Sequence, residues 1–125
     1  MPYDSPRNVT YTYAVDFDTT EASSLKGPAG KTGKLIDIIV SATETFTATT
    51  TAAFIEVGVS AGSAEYASFA LGTLADTDTL TATETSGAIV LAALPADTQI
   101  ELTFNAPTGG TPAGIGAVQI VVDWY

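Results

Sequence analysis

The chain has no histidine and no cysteine, and only four basic residues among 125. Those four, Arg7, Lys26, Lys31 and Lys34, all lie in the first 34 positions. From Leu35 to Tyr125 there is no positive charge. Acid–base catalysis, nucleophilic catalysis and oxyanion stabilisation near neutral pH draw heavily on His, Cys, Lys and Arg. The most strand-rich part of this chain offers none of them, so an enzyme is not expected. Without cysteine there is no disulfide framework and no thiolate metal site. The expectation is no catalytic residue, no cofactor and no metal.

Charge of one sign is abundant. The net charge is −10, and ten of the fourteen acids lie beyond Lys34. Asp4, Asp16, Asp18 and Glu21 balance the four bases, so the segment up to Lys34 is neutral and the body carries the whole charge. Such a surface repels phosphate backbones and anionic lipid, so neither nucleic acid nor membrane is an expected partner. Residues Met1 to Arg7 have no apolar segment of the kind a Sec signal needs. No apolar run reaches membrane-spanning length.

At this length one domain is expected. Hydrophobic residues make up 46% of the chain, much of it Ala, which suggests a thin core. The pattern is one of strands. Val9, Tyr11, Tyr13, Val15 and Phe17 alternate with polar or small residues, as a half-buried strand does. Leu35 to Val40 is nearly continuous apolar sequence and reads as a central strand covered on both faces. Ile55, Val57 and Val59 alternate, as do Ala67, Phe69 and Leu71, and Ile100, Leu102 and Phe104. Ile89 to Leu91 is a short apolar strand candidate, and Val118 to Trp124 is the last strand. Thr43–Thr51 and Asp76–Thr85 read as strand edges or long loops. Gly, Pro, Ser and Asp cluster between these runs, as turns require. Short strands at this spacing predict an all-β fold, an antiparallel β-sandwich that is jelly-roll-like. Residues 1–8, with Pro2 and Pro6, read as an N-terminal extended arm, and 9–125 as the sandwich domain.

Gly27-Pro28-Ala29-Gly30-Lys31-Thr32 invites a phosphate-loop reading. That motif needs a Gly at position 25, which is Leu25, and a following helix where a strand pattern stands instead. The plain reading is a flexible inter-strand loop. The sharper one is a contact loop, because it concentrates Lys26, Lys31 and Lys34 on an acidic body and suits an acidic patch on a partner. Asp76-Thr77-Asp78 resembles the start of a calcium loop, but Thr79-Leu80-Thr81 breaks the ligand register. Glu44, Glu56, Glu65 and Glu101 fit outward strand positions better than a carboxylate pair for glycoside hydrolysis. Tyr11, Tyr13, Phe17, Phe69, Phe104 and Trp124 read as core. Tyr3, Tyr66 and Tyr125 are the aromatics left for a carbohydrate platform.

Two stretches, GPAGKTGKLIDIIVSATETFTATTT and LPADTQIELTFNAPTGGTPAGIGAVQIVVDWY, together about half the chain, carry a resemblance. They resemble small Thr/Ala-rich structural proteins of tailed bacteriophages, the capsid decoration (cement) proteins. The most specific part is LPADT before a strand, then APTGGTPAG, then a terminal strand ending in an acid and two aromatics. The resemblance implies a jelly-roll-like homotrimer on the outer surface of the virion. It would bridge major capsid subunits and have no small-molecule substrate. Contact through Lys26, Lys31 and Lys34 comes from charge alone. The competing expectation is a receptor- or carbohydrate-binding module of a phage tail, baseplate or head fibre, since the same fold class serves both.

Overall fold

The computed structural model describes residues 8–125. The expected arm, residues 1–8, therefore lies outside the described residues except for Asn8, which opens the first strand. Nine strands follow one another and the described residues contain no helix: β1 (Asn8–Asp16), β2 (Glu21–Leu25), β3 (Gly33–Thr47), β4 (Phe54–Gly58), β5 (Ala67–Ala70), β6 (Thr79–Thr81), β7 (Ala93–Leu94), β8 (Ile100–Asn105) and β9 (Ala113–Trp124). One sheet has the order β1-β9-β3-β6 with β7 also paired to β3, and the other β2-β8-β4-β5.

All pairings are antiparallel, and β1 pairs with β9, β2 with β8, β3 with β6, and β4 with β5. That nesting is a long hairpin folded over on itself, with its tip between β4 and β5. It is the strand order of a jelly roll. The chain is an all-β, jelly-roll-like antiparallel sandwich.

The core lies between the sheets. Phe17, at the end of β1, packs edge-on against Phe46 of β3 at 5.2 Å and Phe104 of β8 at 6.1 Å, joining the two layers. Of the 25 buried hydrophobic residues only five are Ala. The core is thus built of large side chains, and most alanines lie outside it, contrary to the thin core the composition suggests.

Leu35–Val40 is not covered on both faces. Ile36 is an extra residue in the register, with Leu35 opposite Val122 and Asp37 opposite Val121. This bulge shifts the phase of the strand, so Leu35, Ile38 and Val40 all face the core while Ile36 is exposed. The Asp37 carboxylate holds the bulge, accepting from the Ile38 amide at 2.8 Å and the Thr83 amide at 3.1 Å.

Ile89–Leu91 forms no strand. It is part of a strap, residues 82–94, that crosses between the sheets. The Ala82 amide donates to the Ile38 carbonyl, the Ser68 amide to Ala88, the Val90 amide to Tyr66, and the Leu35 amide to Ala92. The strap therefore caps the free edge of β5 and then returns to β3 as β7. Ile89 itself makes a single bridge to Ala67.

Candidate docking surface

The GPAGKTG loop is pinned. The indole of Trp124 lies so close to Gly27 and Gly33 that a Cβ at either would stand 2.5 Å from a ring carbon. The Gly30 amide donates to the Asp97 carboxylate at 2.9 Å. Thr32 and Tyr125 exchange backbone hydrogen bonds, each 2.9 Å. Only residues without a side chain allow the loop to lie on the tryptophan. The loop read as flexible is in fact held on three sides.

This anchoring presents Lys26, Lys31 and Lys34 at one end of the sandwich, all exposed. Arg7 lies outside the described residues. The lysines are not a bare positive patch. Lys34 stands opposite Asp123 in the β3–β9 register, and Asp97 holds the loop from the side. Within an acidic body this end is the region closest to neutrality.

The same end gathers exposed apolar side chains. Tyr125 is 53% exposed and follows Trp124, whose side chain turns inward. Ile36 is 37% exposed at the bulge, and Leu91 is 52% exposed on the strap, two residues before Ala93, which pairs with Lys34. Val90, 63% exposed, lies beside it. Large exposed apolar groups grouped with charged residues mark interaction surfaces more often than scattered ones do.

The middle of that sheet's outer face is mostly uncharged, with Asp37 beside Val121 and with Asp16 and Glu44 beside Ile115 at the far end. On β1 the outward residues between Asn8 and Asp16 are Thr10, Thr12 and Ala14. Opposite them on β9 stand Val121, Gln119 and Ala117. Ile39 and Ser41 continue the row on β3. Near the far end is a shallow apolar depression of about 280 Å³ among Ala14, Asp16, Thr43, Ile115 and Ala117. The other sheet carries acids on its outer face as well. Its outer face carries Glu56, which accepts from the Asn105 amide group at 2.9 Å, and Glu101, which accepts from Gln99. Part of it is covered, because the Gly62 amide in the β4–β5 loop donates to the Thr103 hydroxyl at 2.8 Å.

The remaining candidates are dispersed. Tyr66 is 6% exposed and belongs to the core, so it is no platform for a sugar. Tyr3 lies outside the described residues. Asp76 and Asp78 sit in an exposed turn, where the Asp76 amide is capped by the Thr45 hydroxyl. Glu84 accepts from the Thr81 hydroxyl. Among the described residues no three His, Cys, Asp or Glu side chains cluster as metal ligands do. Glu65 lies in the β4–β5 loop, not on a strand, and receives the Val59 amide at 3.0 Å. Hydrogen bonds from Ser63 and from that amide hold its carboxyl below the usual glutamate range.

Sequence reasoning found the lysine loop but missed its neighbours. Val90 and Leu91 look like a buried strand, and the strap that exposes them has no local signal. No protein-family model, no curated protein and no solved structure matches the chain.

Proposed function

We propose that this chain is a non-enzymatic virion structural protein, a cement or decoration protein that binds the outside of a tailed-phage head and stabilises the capsid by bridging major capsid subunits. The observation that supports this reading best is the contrast between surfaces. A body of net charge −10 groups the cations of its described residues with exposed aliphatic side chains at one end of the sandwich. A rigid sandwich with such an end contributes shape and contact area, and repeated copies on a lattice add avidity to a weak single contact. Self-repulsion of the acidic remainder opposes wrong orientations. The reading needs no cofactor, substrate, nucleic acid or membrane. A carbohydrate-binding module loses one of its three candidate aromatics with the burial of Tyr66.

The test is to add the purified protein to assembled heads that lack it. Saturable co-sedimentation with heads, absent for free capsid subunits, together with a higher head melting temperature, is the expected result. Heads that neither bind the protein nor gain stability overturn the reading, and glycan binding instead would establish the module.

A further inference from the structure

A sheet edge is a row of unpaired backbone donors and acceptors, and folded proteins shorten, charge, bend or cover such rows. Three of the four edges here are treated in one of those ways. The β5 edge is capped by the strap, through the Ser68 to Ala88 and Val90 to Tyr66 hydrogen bonds. β6 is three residues long, and β2 is five residues long with Glu21 at its start. The β1 edge is different. It is nine residues long and has no partner on its outer side among the described residues. Its register with β9 runs without a bulge from Asn8 to Asp16. It contains no Pro, no Lys and no Arg, and its one acid, Asp16, is at its end.

The hydrogen-bond phase shows which groups are open. The Phe17 amide donates to the Gly114 carbonyl at 2.9 Å, which continues the β1–β9 ladder by one residue. In an antiparallel pair the bonded residues alternate. The odd-numbered residues of β1 are therefore bonded to β9. The even-numbered ones, Asn8, Thr10, Thr12, Ala14 and Asp16, direct their N–H and C=O groups away from the sheet.

We infer that the β1 edge binds a second copy of this chain, β1 against β1 in antiparallel register with Thr12 on the two-fold axis. The sequence is self-complementary in that register. Thr12 faces Thr12, Thr10 faces Ala14, and Asn8 faces Asp16, so no two like charges are opposed and the acid meets a neutral hydrogen-bonding side chain. Each of these residues has its backbone groups already turned outward, so the pairing needs no change in β1. The pair joins the two β1-β9-β3-β6 sheets into one continuous sheet. This inference is independent of the capsid reading. It also departs from the trimer that the phage resemblance implies, because two β1 edges meeting about a two-fold axis close the contact at two copies.

The test uses the absence of cysteine. Thr12→Cys places one thiol per chain at the axis, where paired residues have Cα atoms about 5.5 Å apart, within disulfide range. Under mild oxidant this variant should be converted to a covalent dimer far faster than Ser86→Cys, whose site is an exposed loop. The wild-type protein should have twice the 12.8 kDa chain mass by light scattering. Thr12→Pro should weaken the association by roughly tenfold or more while the fold survives, because the lost N–H points outward and edge strands accept proline. A monomeric or trimeric mass for the wild type overturns the inference, as does oxidation of the Thr12→Cys variant no faster than that of the Ser86→Cys control. Head binding is measured separately, so failure of the pair leaves the capsid reading to its own test.

Discussion

The indole N–H of Trp124 donates to the hydroxyl of Tyr11 at 3.1 Å, and this bond ties the end of the last strand to the first. The six-membered ring of the indole lies against Gly27 and Gly33. The lysine loop is thus placed by a tryptophan that belongs to the core. Gly33→Ala puts a methyl group 2.5 Å from the ring and should cost about 1–3 kcal/mol, the usual penalty for overpacking a filled site. Urea denaturation of the variant measures it. An unchanged midpoint would mean that the ring can move aside and does not fix the loop.

Asp37 is the second control point. Its carboxylate receives two backbone amides, Ile38 and Thr83, and the Thr83 hydroxyl at 3.3 Å. Asp37→Ala leaves the bulge and the strap without their common acceptor. The expected loss is about 1–3 kcal/mol in global stability. Hydrogen exchange should also show the Thr83 amide opening well before the amides of β9. Uniform protection across both would show that the strap does not depend on Asp37.

Tyr13 lies between the sheets, 5.6 Å from the Phe104 ring, and its hydroxyl donates to the Ser24 carbonyl at 3.3 Å. Burial, helped by the neighbouring Tyr11, pushes its pKa up, and a hydrogen bond with Ser23 offsets part of this. The folded state therefore holds the proton more tightly than the unfolded one. The resulting stabilisation is complete below the unfolded value of about 10 and is lost as pH rises through the folded value. Wild-type melting temperature should fall more steeply above that pH than the melting temperature of Tyr13→Phe. Parallel curves would place the alkaline transition elsewhere.

Much of the fold is legible in the sequence because period-2 alternation survives wherever one face is buried. β1, β8 and β9 follow their patterns closely, and Trp124 is inward as its position requires. What escapes is structure made by partners distant in the chain. β2, EASSL, shows no alternation because of its inward-phase residues Glu21, Ser23 and Leu25 only Leu25 is apolar, and pairing with β8 makes it a strand. β6 is a strand only through pairing with Ile39–Ser41. The Leu35–Val40 run misleads because a bulge changes the phase, and a continuous apolar run conceals such a change. Lys26, Lys31 and Lys34 stand out by composition. That they share an end with Ile36, Leu91 and Tyr125 depends on the β3–β7 and β3–β9 registers.

Glu65 gives a second pH effect, of opposite sign and local extent. Its carboxylate caps the Val59 amide and meets the Ser63 hydroxyl, which lowers its pKa. The group's contribution is present above the ordinary glutamate value of about 4.3 and lost as pH falls through the lower folded value. NMR titration should show the Val59 amide shifting with this low midpoint, and Glu65→Gln should abolish the shift. A midpoint at the ordinary value would mean the cap is not formed in solution.

The lysines test the docking surface itself. Changing Lys26, Lys31 and Lys34 together to Gln removes the cations of the described residues and keeps the loop's anchors: Gly27 and Gly33 on the indole, the Gly30–Asp97 bond and the Thr32–Tyr125 backbone pair. Stability should change by no more than about 0.5 kcal/mol, as for exposed substitutions away from packing. Binding to heads should weaken, and its dependence on salt should flatten, because the screened attraction has been removed. A second variant, Leu91→Ser with Ile36→Ser, removes the exposed aliphatic groups and should weaken binding with the salt dependence intact. If both variants bind as the wild type does, this end of the sandwich does not face the capsid. The acidic outer face of the β2-β8-β4-β5 sheet, with Glu56 and Glu101, then becomes the surface to change next.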